Sequence, residues 1–349
     1  MGDSSGTPGY DQGSVDAWIR GNVDGFEPPF TWEKLEGGHS NLTYALTDQT
    51  GTRAVIRRPP LGVLLPKAHD MFREFSVISA VGPAGVPVAE AYGYCEDPAV
   101  TGAHFYVMSL VGGRAMYSHE DVDEWLPMEA RANVAPSFIE TLAALHSVDP
   151  DEVGLGQLGK KEGYIDRQLS TWYKSWNASI EGAKYDDKRV HELQALLLSR
   201  VPEQGPARVV HGDYGMHNSL LGHDGRVTAV LDWEIATLGD PLADLAYFMN
   251  SWADPDDETW DVSEAPTKAG GFSRRSELPA LYAAQTGRDL SDLDFYLAFN
   301  SLKTACILHG VYSRYMEGKK STDGIDLEAM FERVVYSVDV AEQRASSLQ

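Results

Sequence analysis

Three polar residues in the second half of the chain have the types and the spacing of a phosphoryl-transfer site. Asp213 and Asn218 lie five residues apart in the segment HGDYGMHN, and Asp232 directly follows the apolar run VTAVL. Transfer of a γ-phosphoryl group needs a carboxylate that orients and deprotonates the acceptor hydroxyl, together with oxygen ligands that hold Mg²⁺. Two acids and one amide can supply those groups.

A predicted β-hairpin brings these residues together. Residues 218–221 and 227–231 have strand character, with an Asp-Gly turn between them. Antiparallel pairing of the two strands returns Asp232 to the side of Asn218. The five-residue spacing also matches the kinase catalytic loop H-R-D-x-x-x-x-N, in which the Asp is the base and the Asn a metal ligand. An Asp after a strand is by itself more often a turn former or a helix cap, so the functional interpretation rests on the combination.

The elements that must position this hairpin fall into two regions, of which the first is rich in predicted strands. Apolar residues at helical spacing predict one amphipathic helix there, over residues 67–81, and a short helix capped by Ser14 is expected before the first strand. The strands are expected to form an antiparallel sheet. They cover residues 31–35, 42–46, 52–57, 88–95 and 104–111.

The second region is predicted to be helical from about residue 121 onwards, because its apolar residues recur at helical spacing. The pair Asp240-Pro241 predicts a helix start. We expect an α+β protein with a small, five-stranded antiparallel lobe that carries one helix and a larger, mostly helical lobe. The expected divisions are a polar tail with a short helix at residues 1–24, the first lobe at 25–112 and the second at 113–349.

The composition excludes several classes of protein. Hydrophobic residues make up 43% of the 349 residues, so a packed globular protein is expected. The chain has 29 basic and 52 acidic residues, a formal net charge of −23, which argues against a nucleic-acid or anionic-membrane partner. The acidic balance fits a cationic substrate or plain solubility, of which the second is the more common explanation.

Cysteine usage and the N-terminal residues indicate a cytoplasmic location. Cys95 and Cys306 are far apart and belong to no pairing motif, so neither a disulfide framework nor a thiolate metal site is predicted. The first residues lack the basic and apolar regions of a signal peptide, and no apolar run is long enough to span a bilayer.

The catalytic segment resembles that of the aminoglycoside phosphotransferase and choline kinase group. The resemblance rests on HGDY with Asn218, on LDWE at residues 231–234 and on GDPLADLAYFM at residues 239–249, and it covers roughly residues 25–315. The pattern is most similar to the phosphotransferase-like regions of some acyl-CoA dehydrogenase family members. The resemblance implies a bilobal protein-kinase-like fold that uses ATP and Mg²⁺.

Carried over by position, the resemblance implies roles for the residues of the hairpin. Asp213 would be the catalytic base, and His211 a buried residue that supports the loop backbone. Asn218 and Asp232 would bind Mg²⁺. Asp244 would brace the catalytic loop, although an acid in the first turn of a helix is equally favoured by the helix dipole.

The resemblance also implies a nucleotide site in the first lobe. Residues 37–41 are similar to the GG-x-SN loop of choline-kinase-like enzymes, which covers the phosphates of ATP. The implied contacts in this loop are Gly38, His39, Ser40 and Asn41. The end of the fifth strand resembles the hinge that binds adenine. Its implied contacts are the backbone groups of Ser109, Leu110 and Val111.

The segment Ala54-Val55-Ile56-Arg57 aligns with the V-A-I-K strand of kinases. Arg57 therefore stands where the phosphate-binding lysine is expected, with Glu74 as its ion-pair partner. A planar guanidinium is not equivalent to an ammonium ion, and Arg58 could share the role. The substitution keeps open the alternative of a non-catalytic nucleotide-binding pseudokinase.

The expected acceptor is the hydroxyl of a small molecule. Asp-Trp-Glu replaces Asp-Phe-Gly, and no Ala-Pro-Glu landmark follows, which argues against a protein kinase. The subgroup resemblance suggests a hydroxylated metabolite, such as a hydroxyacyl compound. Five basic residues could bind an anionic group of such an acceptor: Lys160, Lys161, Arg167, Arg274 and Arg275. An aminoglycoside would instead need acids near Asp213, which residues 254–258 could supply.

Overall fold

The computed structural model describes residues 7–35, 41–62, 69–257 and 265–348. The first lobe is built on a five-stranded antiparallel sheet, as predicted. Its strands are β1 (Thr31–Lys34), β2 (Leu42–Thr47), β3 (Arg53–Arg58), β4 (Ala91–Cys95) and β5 (Phe105–Ser109). They lie in the order β1-β2-β3-β5-β4, and each neighbouring pair is antiparallel.

Three helices accompany this sheet in the described part of the chain. They are α1 (Gln12–Asn22), α2 (Met71–Val81) and the single turn α3 (Pro98–Thr101). The cap of α1 is Asp11, whose side chain accepts the N–H of Ser14 at 2.8 Å, so the expectation that Ser14 caps this helix was wrong. An aspartate can serve as well as a serine at this position.

The position of Glu74 follows from the buried face of α2. Asp70 caps this helix by accepting the N–H of Arg73 at 3.1 Å. Because a helix has 3.6 residues per turn, Glu74 lies on the same face as the buried Met71 and Ile78. A buried carboxylate among apolar residues needs a compensating partner. Glu74 therefore needs a partner on the face of the sheet that packs against α2.

The strand β3 supplies that partner. Side chains alternate between the two faces of a strand. Ile56 belongs to the apolar cluster around α1, and Arg58 lies on the same side, with its guanidinium 5.7 Å from the centroid of the Tyr10 ring. Arg57 occupies the opposite face, towards α2.

The second lobe is mostly helical, as predicted. Its helices are α4 (His119–Trp125), α5 (Val134–Ser147), α6 (Tyr164–Ala183), α7 (Lys188–Ser199), α8 (Pro241–Ser251), α9 (Leu278–Thr286), α10 (Leu293–Met316) and α11 (Leu327–Ala345). The long helix α10 packs against α6, α8 and α11. One continuous apolar cluster fills this lobe and extends to α2.

Two short antiparallel pairs frame the catalytic segment. Their strands are β6 (Arg208–Val210), β7 (Ser219–Leu221), β8 (Val227–Val230) and β9 (Thr237–Gly239). The predicted hairpin is the pair of β7 and β8. The pairing of β6 with β9 has no counterpart among the predicted strands.

The chain that leaves β5 joins the catalytic hairpin directly. The N–H of Arg114 donates to the carbonyl of Leu221 at 3.1 Å, and the N–H of Leu221 donates back at 3.0 Å. Thr228 also donates its hydroxyl to the carbonyl of Gly112 at 2.7 Å. The segment between the lobes is therefore bonded to the outer edge of the hairpin. Among the described residues, no helix has the length and apolar character that crossing a bilayer requires.

Candidate active site

Asp213 lies in the loop between β6 and β7, where both carboxylate oxygens accept hydrogen bonds. The Asn218 amide donates to Oδ2 at 2.9 Å and to the Asp213 carbonyl at 3.0 Å. The Tyr247 hydroxyl donates to Oδ1 at 2.5 Å, and Nε2 of His217 lies 3.3 Å from the same oxygen. Burial raises the pKa of Asp213, but the contacts with His217 and Tyr247 outweigh it and lower the pKa to about 2. Asp213 is therefore ionised at neutral pH.

The orientation of the Asn218 amide follows from these bonds. Because its nitrogen donates twice to Asp213, its oxygen remains as an acceptor on the other side of the amide group. Across the hairpin, the N–H of Leu231 donates to the Asn218 carbonyl at 2.8 Å. Asp232 is the next residue, and its φ of 60° ends the strand there.

Arg57 connects the two lobes through two acids. Its Nε lies 3.0 Å from Oε2 of Glu74, and its Nη2 lies 3.1 Å from Oδ1 of Asp232. The Tyr106 hydroxyl donates to Oε2 of Glu74 at 2.9 Å, and the Asn41 amide donates to Oε1 at 3.4 Å. Burial raises the pKa of Glu74, and the charge of Arg57 opposes that effect. One guanidinium thus compensates a buried acid of one lobe and a candidate metal ligand of the other.

A third acid, Glu234, lies beside Glu74 and Asp232. Carboxylate oxygens of Glu74, Asp232 and Glu234 are within 4.8 Å of one another. Oxygen ligands of this kind, together with the amide oxygen of Asn218, are those that Mg²⁺ prefers, so the residues present suit the metal. No role was predicted for Glu234, although it is the last residue of the LDWE motif and follows Asp232 by two positions.

A buried acid holds the backbone of the catalytic loop. Asp244, in the first turn of α8, accepts the N–H of His211 at 2.6 Å and that of Gly212 at 2.9 Å. Nε2 of His146 lies 3.5 Å from the same carboxylate. Burial raises the pKa of Asp244, and the contact with His146 reverses that shift and lowers it. Of the two interpretations of Asp244, bracing of the loop has these two hydrogen bonds in its favour.

His211 is fully buried and contacts only the framework of the site. Its Nε2 donates to the carbonyl of Leu231 at 2.8 Å, and its Nδ1 accepts the N–H of Asp213 at 3.2 Å. These bonds define its tautomer, and burial lowers its pKa. The contacts of His211 fit the predicted supporting role.

Comparison with known proteins decides the family of the chain. The pattern of the family described as "phosphotransferase enzyme family" matches residues 31–278, which include every residue of the site described above. This chain belongs to the phosphotransferase enzyme family. Acyl-CoA dehydrogenase family member 11 of Homo sapiens is 34% identical over 323 residues, an alignment that covers 90% of this chain and 40% of the relative. The chain thus spans about two fifths of the length of that relative.

Solved structures of other phosphotransferases share the fold. A "putative aminoglycoside phosphotransferase" from Ralstonia eutropha JMP134 is 30% identical, with a TM-score of 0.82 over 97% of this chain and 99% of that one. Choline kinase from Cryptosporidium parvum Iowa II is 12% identical, with a TM-score of 0.62 over 97% and 96% of the two chains. A mutant of aminoglycoside phosphotransferase APH(4)-Ia in a ternary complex with ADP and hygromycin B is 17% identical, with a TM-score of 0.59 over 96% and 98%. The predicted family and the predicted protein-kinase-like fold are confirmed.

The predicted nucleotide contacts of this phosphotransferase lie partly outside the described residues. Gly38, His39 and Ser40 belong to a segment that the structure does not describe. Asn41 is buried and bonded to Glu74. Asn41 is therefore connected to the site through Glu74, the ion-pair partner of Arg57.

The hinge residues follow the end of the sheet. The N–H of Ser109 donates to the carbonyl of Glu90 at 2.8 Å, and its hydroxyl accepts the N–H of Glu90 at 2.9 Å. The N–H of Ser109 is thus engaged at the sheet edge, and Leu110 and Val111 continue into the segment between the lobes.

Arg57 and Arg58 have different surroundings in this family member. Arg58 is buried on the far side of the sheet, where it donates to the carbonyls of Thr101 at 2.6 Å and Pro59 at 3.2 Å. Arg57 faces Asp232. Of the two arginines, Arg57 is the one whose contacts reach the candidate active site.

A cleft of about 600 Å³ opens beside Asp213. Two residues that contact Asp213, His217 and Tyr247, form part of its wall. The remaining wall combines apolar and polar residues, and its charged members are Asp326 and Arg333. The apolar lining residues are Met116, Met216, Phe248, Trp252, Ala265, Pro266, Ile325, Ala329 and Met330.

Four of the five basic residues considered for the acceptor have partners elsewhere. Arg275 pairs with Asp257 at 3.0 Å, Arg274 with Asp256, and Lys161 with Asp151 at 2.5 Å. Arg167 donates to backbone carbonyls, of Lys160 at 2.7 Å and of Glu162. Glu258 lies outside the described residues. Neither the predicted basic set nor the described part of the acidic loop lines the cleft.

Besides Glu234, three residues that contact Gly212 or Asp213 had no predicted role. His217 lies in the segment HGDYGMHN and Tyr247 in GDPLADLAYFM, and their membership of these two segments was the available signal. Lys303 of α10 donates to the carbonyl of Gly212 at 2.9 Å. Nothing in the local sequence of α10 connects Lys303 with a loop 91 residues away.

Proposed function

We propose that this chain transfers the γ-phosphoryl group of ATP to a hydroxyl group of a small molecule. Asp213 is the base that orients and deprotonates the acceptor, and Asn218 and Asp232 are the Mg²⁺ ligands. The observation that carries the proposal is the paired use of Asn218, whose nitrogen holds the ionised Asp213 and whose oxygen remains for a metal beside Asp232. When bound, Mg²⁺ neutralises charge on the phosphates.

The chain's own residues account for the other requirements of the reaction. A general base must be ionised and reach the acceptor, and Asp213 is both ionised and adjacent to an open cleft. Arg57 supplies a cation near the phosphate position. Its fork supports this assignment, because the guanidinium already spans Glu74 and Asp232. The APH(4)-Ia complex with ADP supports ATP as the donor.

We further propose a hydroxylated metabolite with an apolar body, such as a hydroxyacyl compound, as the acceptor. The cleft favours it, because Asp326 is the only carboxylate among the described residues of its wall and a multiply charged aminoglycoside needs several carboxylates in its site. Of the acids considered for such a substrate, Asp256 and Asp257 are paired with arginines. The name of the relative, an acyl-CoA dehydrogenase family member, points in the same direction, although this chain covers 40% of that relative.

The proposal includes a cytoplasmic location and a division between lobes near residue 112. The hydrogen bonds of Gly112 and Arg114 with the hairpin support a division at this point.

The deciding experiment is a screen for ADP release stimulated by candidate acceptors. It should contain free hydroxy acids, hydroxyacyl thioesters and aminoglycosides, each with Mg·ATP. Stimulation by a hydroxyacyl compound, with a phosphorylated product detected by mass spectrometry, is the expected result. Stimulation by aminoglycosides alone would favour the resistance-type activity. Tight Mg·ATP binding without turnover of any acceptor would favour the pseudokinase, which the replacement of lysine by Arg57 supports.

A further inference from the structure

Lys303 is a buried lysine beside the catalytic loop that the proposed reaction does not use. It is 8% exposed, and its Nζ donates to the carbonyl of Gly212 at 2.9 Å. Burial lowers the pKa of Lys303, and the charges of Asp244 and Asp213 oppose this shift. Removing an ammonium group from water is costly unless nearby groups compensate its charge. A lysine in this position therefore needs an explanation beyond packing.

The first contact of Lys303 fixes the peptide that leads into Asp213. That peptide consists of the Gly212 carbonyl, bound by Lys303, and the Asp213 N–H, bound by Nδ1 of His211. The preceding N–H, of Gly212, is bound by Asp244. Gly212 has a φ of 85°, a conformation that other residues rarely adopt. Partners on both sides of the peptide thus define the backbone that carries the base.

The second contact of Lys303 reaches the side chain of the same residue. Its Nζ lies 4.4 Å from the centroid of the Tyr247 ring, within the range of a cation–π interaction. The Tyr247 hydroxyl donates to Oδ1 of Asp213 at 2.5 Å. Lys303 therefore acts on the backbone through Gly212 and on the carboxylate through Tyr247.

We propose that Lys303 is a positioning residue for phosphoryl transfer, which fixes the Asp213 carboxylate through the Gly212 carbonyl and the Tyr247 ring. This inference rests on the proposed function. Lys303 is not part of the cleft wall, whereas its neighbour Thr304 is. The role is thus distinct from binding of the acceptor. Small displacements of a catalytic group can reduce a rate by about a hundredfold.

The test replaces Lys303 by methionine, which keeps an unbranched stem and removes the charge and the donor. ADP release from Mg·ATP is measured with water as the acceptor and with any acceptor that the screen identifies. We expect kcat to fall by about 10-fold to 100-fold, while the KM for ATP and the Kd of Mg·ATP change by less than about threefold. A kcat within twofold of the wild type would overturn the proposal. So would a parallel loss of Mg·ATP binding, because it would reveal general support of the cleft.

Effects of Lys303→Met on folding are controlled separately. Rates are normalised to the number of Mg·ATP sites and measured at low temperature with saturating nucleotide, which stabilises the folded chain by mass action. Lys188→Met, at a lysine whose side chain is 87% exposed and pairs with Glu192, is the matched control and should leave kcat unchanged.

A double-mutant cycle with Tyr247→Phe tests the route. If Lys303 acts partly through the hydroxyl of Tyr247, the two losses in kcat are less than multiplicative. Fully multiplicative losses would overturn the Tyr247 part of the proposal. A wild type without any turnover would refute the phosphotransferase function itself, whereas an active wild type and an equally active Lys303→Met would refute only the role of Lys303.

Discussion

The two sides of the candidate site differ in how their charges are held. On the side of the helical lobe, the peptide from His211 to Asp213 has partners for its backbone groups and for both oxygens of the base. On the side of the sheet, Arg57 is shared between Glu74 and Asp232. The first arrangement is redundant, and the second depends on one side chain.

This difference teaches how the site divides its tasks. A base must keep one geometry in every step, and several buried hydrogen bonds provide that preorganisation. Under the proposed function, Asp232 must exchange its partner, since it pairs with Arg57 here and would bind Mg²⁺ during the reaction. A single ion pair across two lobes suits such an exchange, because it can be replaced without disturbing the core.

The largest effect is expected when the base itself loses its charge. Asp213→Asn keeps the shape of the side chain but cannot accept the acceptor's proton, so turnover should fall by about 10³-fold or more. Binding of Mg·ATP, measured by isothermal titration calorimetry, should remain close to that of the wild type. Retained turnover would show that the preorganised loop is not the catalytic centre.

The next largest effect is expected at the exchanging ligand. Asp232→Ala removes a metal carboxylate and leaves Arg57 with Glu74 alone, so Mg²⁺-dependent nucleotide binding and activity should fall by about a hundredfold. Titration of ATP with and without Mg²⁺ measures the change. Asp224→Ala, in the turn of the same hairpin, is the matched control. Unchanged Mg·ATP affinity in Asp232→Ala would remove Asp232 from the metal site.

The loss of stability at acid pH should come mainly from buried histidines of the helical lobe. His146, His211 and His309 are buried there, and burial lowers the pKa of each. Their pKa in the unfolded chain is about 6.5. Below that pH the unfolded chain therefore binds more protons than the folded chain. The free energy of unfolding should therefore decrease as the pH is lowered through this range, by up to about 1.4 kcal/mol per pH unit for each histidine.

Thermal unfolding at pH 7.5 and at pH 5.5 measures this loss of stability. His309→Gln, at a histidine that is hydrogen-bonded to Ser179 and to the carbonyl of Tyr185, should narrow the difference in Tm between the two pH values. In the described part of the first lobe, His69 and His104 are not buried. An equal difference in Tm for His309→Gln and the wild type would contradict the assignment.

The smallest effect is expected from exchanging the shared cation. Arg57→Lys keeps a charge next to Glu74 but cannot span both acids with a planar fork. We expect kcat to decrease and the KM for ATP to increase, each by about threefold. Arg53→Lys, on the same strand and paired with Glu33 at 3.2 Å, is the control. A loss of tenfold or more would mean that the two-sided contact of Arg57 is essential.

Much of the fold could be predicted because its signals are local. Helical spacing predicted α2, and the resemblance of residues 54–57 to the V-A-I-K strand implied Glu74 as the partner of Arg57. The structure brings Oε2 of Glu74 and Nε of Arg57 to 3.0 Å. The cap of α1 was wrong by three positions, since Asp11 and Ser14 are both good caps and only packing selects between them. The pairing of β6 with β9 was missed because each strand has three residues and, unlike β7 and β8, the two are not joined by a short turn.

The sequence by itself determined which polar residues the hairpin brings together, and from them the proposed chemistry. Asp213, Asn218 and Asp232 lie within 20 residues of chain, and one turn is enough to bring them together. The tertiary structure alone decided the partners. Lys303 reaches Gly212 across 91 residues, and Arg57 reaches Asp232 across 175. Such contacts depend on how α10 packs on α8 and how the sheet meets the hairpin, and no local pattern of apolar residues encodes that arrangement.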